Sequence, residues 1–469
     1  MLGLQYQSLK TVLQHMDANS KIRISLHMPS IKNVEKMLPL KMNHLEIDDN
    51  YTKVDDTSYA LSILRYDPDG NTPESIKDEN RWRGSQYDFD EFGFPVQLGS
   101  DVLLPGDVSF QSEFRPGVEF DTEAKEREYR DDLRIHEKAL EKQTDLRLKG
   151  ETVNDYLKSL EPLPRHDLGE EYRIRQALNC SSKALKYSIE EDKIKLLPFE
   201  CRRNNTKSPF KCCVQLIISK WCSMKKKSTQ QFQRFEYTKR LFEASKCLHE
   251  VLFGGRTMPI SIGRFNLAYL SPYNNAICRL PFSFRMQVNK VEAHDGLVAH
   301  DSFHLLVANS ESLNSLWLNH VFDPNVFQRQ VVRNAKNLVI DNVMKHRIQE
   351  LLQTITTLPN PNISLLPLNP DFSMEDYFQL VQAWLNGDRQ VGSSCSIGME
   401  NEKVARDVLK LVRIRNENTK RTKRCVTISR NDRTKVEIYY VSFKGPVTLT
   451  SFWWYWSEKW IMKIRIVKV

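Results

Sequence analysis

The spacing of apolar and polar positions changes several times along the chain, and each change marks an element. Leu9, Val12, Leu13 and Met16 recur at helical spacing. Asp17-Ala18-Asn19-Ser20 then supplies a turn and an N-cap ahead of Ile22, Ile24 and Leu26, and Pro29 opens a third periodic stretch through Val34, Met37 and Leu38. Three short helices are therefore predicted within residues 1–50. Lys41 to Ile47 alternates as a strand does. Residues 51–120 are acidic and rich in turn signals such as Asp69-Gly70, so they read as largely irregular around a strand at Tyr59 to Leu64 and short extended pieces.

From Asp121 to Gly150 the pattern changes again, because 17 of these 30 residues are charged and both signs interleave. That composition predicts a long, solvent-exposed, charged helix, with a linker running on to residue 164. Its apolar members are too sparse for a sustained heptad seam, which argues against a coiled-coil dimer. Within 165–275, Val214 to Ser219 and Phe232 to Tyr237 alternate as strands on either side of Lys225-Lys226-Lys227. Lys239 to Phe253 is an amphipathic helix stopped by Gly254-Gly255, and Ile260 to Ile262 resumes extended chain. Residues 280–469 continue the alternation. Phe282 to Val288 reads as a strand, Ser373 to Trp384 and Glu400 to Val412 as helices, Cys425 to Ser429 and Lys435 to Phe443 as a hairpin about Asn431-Asp432, and Ile461 to Val469 as a last strand.

Together these patterns predict an α+β protein: a small helical N-terminal unit, a long charged helix, and two mixed modules whose sheets are mainly antiparallel rather than doubly wound. The partition they suggest is 1–50, 51–120, 121–164, 165–275 and 280–469. No repeat stands out at a fixed period.

Composition adds constraints on function. The 469 residues carry 68 Lys and Arg against 59 Asp and Glu, a formal charge of +9, with 40% hydrophobic residues, enough for sizeable cores. The charge is segregated: residues 66–121 hold 13 acidic and 4 basic side chains, whereas residues 202–256 hold 13 basic and 3 acidic. A second basic cluster, Arg413 to Lys435, has nine cations against two acids and includes Lys420-Arg421-Thr422-Lys423-Arg424, a pattern that suits nuclear import, phosphate contact or a solvated loop. No window is apolar enough to span a bilayer, and the first twenty residues lack the apolar core of a secretory signal. Nine scattered cysteines read as reduced thiols in cytosol or nucleus.

Candidate chemistry is thin. No P-loop, dinucleotide fingerprint, HExxH, CxxC or GxSxG is present, so no catalytic residue, metal ligand or cofactor is assigned. His294, His300 and His304 lie close together, but no fourth ligand or glutamate base completes a zinc set. Cys212-Cys213 would point to opposite faces of a strand. The most unusual feature is Phe452-Trp453-Trp454-Tyr455-Trp456 with Trp460, which puts four of eight tryptophans into a short C-terminal stretch. Rigid amphipathic rings are what partner-binding hot spots use, so Trp453, Trp454, Trp456 and Trp460 are the candidate partner-binding residues, with core packing as the competing reading.

The order of these parts resembles the nematode-expanded F-box family that carries an uncharacterised middle domain and a C-terminal F-box-associated domain. Leu9 to Leu26 followed by Met28-Pro29-Ser30-Ile31 resembles a short F-box. Gln215 to Ser219, Phe235 to Ala244 and Leu252-Phe253-Gly254-Gly255-Arg256 resemble the middle domain; Leu280 to Met286, Tyr377 to Gly387 and Val426 to Val441 are similar to the F-box-associated domain. The resemblance implies a non-catalytic adaptor: the F-box helices dock on the Skp-type adaptor of a cullin-RING ubiquitin ligase, and the downstream domain holds an unknown protein substrate. Leu9, Leu13, Met16, Ile22 and Ile24 would then be shared between holding three helices together and presenting an apolar surface. Two alternatives stand beside this: a protein of the same family that no longer contacts the ligase, and a nucleic-acid binder using the basic stretches and C-terminal aromatics.

Overall fold

Alternating and helical periods translate into elements in the computed structural model, which describes residues 6–96, 102–110, 120–161, 169–222, 226–267, 276–308, 313–319, 321, 323–341, 348–366, 372–399, 401–417, 419–442 and 460–469. The chain starts with α1 (Tyr6–His15), α2 (Ala18–His27) and α3 (Pro29–Lys36), then β1 (Lys41–Asp48) and β2 (Tyr51–Val54). It continues through β3 (Thr57–Tyr66), α4 (Glu74–Arg81), β4 (Asp88–Phe89), β5 (Pro95–Val96) and β6 (Val108–Phe110). Four helices follow, α5 (Glu123–Leu148), α6 (Val153–Ser159), α7 (Glu170–Leu178) and α8 (Ser182–Arg203), then the hairpin β7 (Lys211–Cys222) and β8 (Lys227–Glu236) and helix α9 (Leu241–Phe253).

The rest of the chain alternates strand and helix. It comprises β9 (Ile260–Leu267), β10 (Ala276–Cys278), β11 (Met286–His294), α10 (Asp295–Ala299), α11 (Phe303–Val307), β12 (Ser315–Asn319), a 3-10 turn at Pro324–Gln328, α12 (Gln330–Arg333), β13 (Asn337–Asp341), α13 (Ile348–Thr357), β14 (Asn362–Leu366), α14 (Met374–Asn386), β15 (Ser394–Met399) and α15 (Glu402–Arg415). It closes with β16 (Thr419–Arg421), β17 (Cys425–Asn431), β18 (Thr434–Ser442) and β19 (Trp460–Lys468). Two compact units result, and neither is continuous in sequence. One is Met1–Thr57, Leu104–Glu113 and His249–Val469; the other is Ser58–Leu103 and Phe114–Leu248. The class is α+β.

In the first unit, β1, β9, β11, β12, β13, β14 and β15 lie side by side and run parallel, in chain order. Strands β19, β18, β17 and β16 extend this sheet antiparallel beyond β15, and β2 pairs antiparallel with β1. Register aligns one buried residue per strand into a ladder, Leu45, Phe265, Val291, Leu316, Leu338, Ile363 and Cys395. A second ladder, Leu267, Ala293, Leu318, Ile340, Leu365 and Ile397, lies two residues further on. Helical side chains such as Ile355, Tyr377, Val381, Trp384, Ala405 and Val408 are buried in the same core. Asn360, itself buried, ties successive turns by donating to the carbonyls of Val332 at 2.7 Å and Ala335 at 2.8 Å.

The expected antiparallel pairing holds for β1 with β2, for β7 with β8 and from β15 through β19, β18 and β17 to β16, and the parallel run from β1 to β15 makes the large sheet a mixed one. A parallel sheet usually carries helices on both faces, so its strands read as continuous apolar runs. Strands β12, β13 and β14 instead alternate half-buried and buried residues. That alternation is the mark of a sheet with one face buried, which in sequence is indistinguishable from an antiparallel strand. Stacked strand-plus-helix units of roughly 20–30 residues produce it. Their unequal lengths hide the repeat. The strand expected at Phe282 to Val288 starts later, at Met286, because Pro281 and Phe284 close a turn through a Phe284 N–H to Pro281 carbonyl bond of 3.0 Å.

In the second unit, β3, β7 and β8 form a sheet whose core includes Leu61, Ile63, Phe89, Val214 and Leu241. Helix α5 is capped by Thr122 and ends ahead of Gly150, whose φ of +74° is a conformation glycine adopts without strain. It is not the solvent-exposed rod its charge suggests. Ile135, Ala139, Gln143 and Leu146 are buried, and Ile135 and Ala139 pack with Ala177, Leu178 and Leu185 of α7 and α8. An alanine and a glutamine complete the inner stripe, so a search for large apolar residues undercounts it. Helix α8 is not legible in the sequence: its buried residues, Leu185, Asp192, Leu196, Phe199 and Cys201, include a charged one and form no continuous apolar stripe, and Pro198 interrupts its last turns.

Candidate functional site

The helical unit is built from an amphipathic stripe closed by polar pins. Leu9 and Leu13 fall on one side of α1 through their i, i+4 spacing, and Met16 follows directly after the helix. Leu13 is fully buried and Ile22 is 2% exposed, whereas Leu9, Met16 and Ile24 are half-buried. Asp17 caps α2 by accepting the Ser20 N–H at 2.9 Å. Buried polar groups hold the helices to the unit: Asn19 donates to the Val54 carbonyl at 2.8 Å, Lys21 to the Pro39 carbonyl at 3.1 Å and Lys36 to the Val251 carbonyl at 3.3 Å. Burial pushes the Lys36 ammonium down to about 8, and burial likewise lowers Lys21. Glu35 and Arg256 pair at 2.7 Å with both side chains almost fully buried.

Other apolar side chains on these helices stay outside. Tyr6, Val12, Leu26, Met28 and Met37 are each between 46% and 49% exposed. The candidate docking set therefore divides: Leu13 and Ile22 belong to the core, and the side chains a partner can touch are these five with the half-buried Leu9, Met16 and Ile24. An amphipathic pattern identifies an apolar stripe but does not say which members a later strand will cover. Val12, Leu26 and Met37 carry the same sequence signal as the buried residues.

The second candidate surface is the half-buried face of β12 to β15. Trp317, Val339, Ser364 and Ser396 stand in one row, next to one another in register and half-buried. A parallel row is Ser315, Asn337, Asn362 and Ser394, with the Ser394 hydroxyl donating to the Asn362 side-chain oxygen at 2.8 Å. Glu292, beside Trp317, is ion-paired with Arg264, and Arg465, beside Ser394, pairs with Glu437 at 2.7 Å; Lys290 and Lys463 flank Ser315 and Ser396. The result is a mixed surface of small hydroxyl and amide groups around the single aromatic ring of Trp317. None of it was singled out from sequence, because serine and asparagine in alternating positions read as ordinary solvated strand.

The tryptophan cluster is only partly visible. Trp453, Trp454 and Trp456 lie outside the described residues. Trp460 is half-buried on β19, edge-on to Tyr440 with ring centroids 5.6 Å apart and under the Arg424 guanidinium at 5.3 Å. Its ring is thus engaged within the chain. Lys420, Arg421, Lys423 and Arg424 are exposed around β16, and Arg424 also reaches Glu402 at 3.3 Å. His294 contacts Asp295 at 3.1 Å, His300 stacks edge-on against Phe110, and the His304 ring meets the Asp301 carbonyl. Among the described residues no three His, Cys, Asp or Glu side chains converge as a metal site. All nine cysteines are free thiols, and burial raises those of Cys212, to about 11, and Cys395, to about 12.

Residues 240–401 match the model of a family described only as a domain of unknown function, DUF3557. The match begins at α9 and runs past β15, taking in every parallel strand except β1. No curated protein and no solved structure matches the chain.

Proposed function

We propose that the chain is a non-catalytic substrate-recognition adaptor of a cullin-RING ubiquitin ligase, in which α1 to α3 dock on a Skp-type adaptor and the face of β12 to β15 that carries Trp317, Val339, Ser364 and Ser396 holds a protein substrate. The observation that carries this reading is the helical unit itself. Three short helices, pinned by buried polar contacts, keep five large apolar side chains half out of water. Exposed apolar groups on a fixed scaffold are a signature of partner docking. The resemblance of Leu9 to Ile31 to an F-box names the partner. Such a role requires the cytosol or nucleus as working compartment.

The test is a pull-down of full-length protein with a purified Skp-type adaptor. A Val12→Asp, Leu26→Asp double variant removes exposed apolar surface and should abolish binding while leaving the circular dichroism spectrum and melting temperature unchanged. Leu13→Asp would instead unfold the helical unit and inform only about stability. Absence of binding by the wild type sinks the ligase reading and leaves an interaction protein without ligase docking.

A further inference from the structure

The ten residues of β8 are exposed at every position, and among the described residues β8 is the last strand of its sheet. Its pairing with β7 runs from Cys213–Glu236 to Cys222–Lys227 without a register shift. Natural edge strands are usually kept short, bulged, interrupted by proline or crossed by charges, because their outward N–H and C=O groups template further strands. Strand β8 has no proline and no bulge, it carries Phe232 and Phe235 at 56% and 51% exposure, and the charges that cross it, Lys227, Arg234 and Glu236, are mainly cationic, which guards against a like edge but not against an acidic strand. We propose that the outer edge of β8 receives an extended acidic peptide of a partner protein as an added strand. The inference goes beyond the adaptor reading, since it concerns a surface in the other unit of the chain and is tested without the ligase.

Charge decides the occupant. Within the strand, Lys227 and Arg234 oppose a single Glu236; Lys226 precedes the strand, and Lys220 of β7 lies opposite Thr229. Side chains alternate across a strand, so Lys227 and Phe235 share one face while Phe232 and Arg234 share the other. Each face of the edge thus offers one aromatic ring and at least one cation. An added strand with acidic and apolar residues on both faces satisfies all four, while its backbone completes the open ladder. A second copy of this chain would bring an equally cationic edge against this one, and like charges across a strand pair are destabilising.

The probe is a fluorescein-labelled ten-residue peptide of repeating Glu-Val-Thr, in which period three against the strand's period two puts Glu and Val on both faces. Repeating Ser-Val-Thr and Lys-Val-Thr peptides are the controls. Fluorescence anisotropy with full-length protein should show the Glu peptide binding at least tenfold tighter than the Ser peptide, weakening as salt rises, and no binding of the Lys peptide. In a Lys227→Glu, Arg234→Glu variant, whose substitutions are at the surface, the preference should reverse toward the Lys peptide. Adaptor pull-down by that variant should equal wild type, which separates this inference from the proposed function. Equal binding of the three peptides, or a Glu preference untouched by charge reversal, overturns the proposal. So does a concentration-dependent dimer in sedimentation that the charge reversal abolishes, which would assign the edge to a second copy.

Discussion

Three charged residues in the first unit, Asp48, Glu35 and Arg256, sit where burial works against charge, and its stability should report this. Asp48, at the end of β1, accepts the Asp49 N–H at 2.9 Å, yet burial pushes its carboxyl up to about 6. Its folded value therefore lies above the unfolded value of about 4. The folded state holds the proton more tightly, so the contribution is stabilising below about pH 4 and is lost as pH rises through 6. Asp48→Asn should raise stability at pH 7 and flatten the urea-denaturation profile between pH 4 and 6; a wild-type profile already flat in that window would refute the assignment. The Glu35–Arg256 pair is costly in another way. One Glu35 oxygen and two Arg256 nitrogens are buried without a hydrogen-bond partner. Arg256→Met should cost about 3–5 kcal/mol by leaving Glu35 charged and buried, and adding Glu35→Met should recover most of it. Denaturant midpoints of the single and double variants decide this. Sequence shows these three charged residues but not their burial, which depends on chain segments far apart.

Elements were more legible than their partners. Strands β1, β3, β7, β9, β17, β18 and β19 and helices α1, α2, α3, α5, α9, α14 and α15 stand where period-two and period-3.6 patterns place them, within a few residues. Short strands β12, β13 and β14, each of five residues, escaped notice because so brief an alternation is common in loops. Strand direction is absent from the signal, since alternation records only that one face is covered. That assignment of faces can be checked. Leu338→Ala, in the buried ladder, should lower stability by about 2–5 kcal/mol, and Val339→Thr, on the opposite face, should change it by less than about 0.5 kcal/mol. Equal losses in urea denaturation would mean that the sheet is covered on both sides.

At the scale of the whole molecule, the described residues contain no helix long and apolar enough to cross a membrane. The basic stretches that suggested nucleic acid are distributed: one edges the β7–β8 hairpin, the other surrounds β16. Salt separates the two kinds of partner. Docking of apolar helices on an adaptor should change less than about threefold between 50 and 200 mM salt, whereas binding to a single-stranded oligonucleotide through several cations should fall by orders of magnitude. A steep, log-linear fall in oligonucleotide affinity from a submicromolar start would revive the nucleic-acid reading.

The sequence by itself determined the class and most of the longer elements, because propensity and period are local properties of the chain. Only the tertiary structure decided that β1 pairs with β9 in parallel, that Leu13 is core while Val12 is surface, and that an alanine and a glutamine seat a charged helix. Each of these depends on which distant segment removes a given side chain from water. Local periodicity contains the demand for burial but not the partner that meets it.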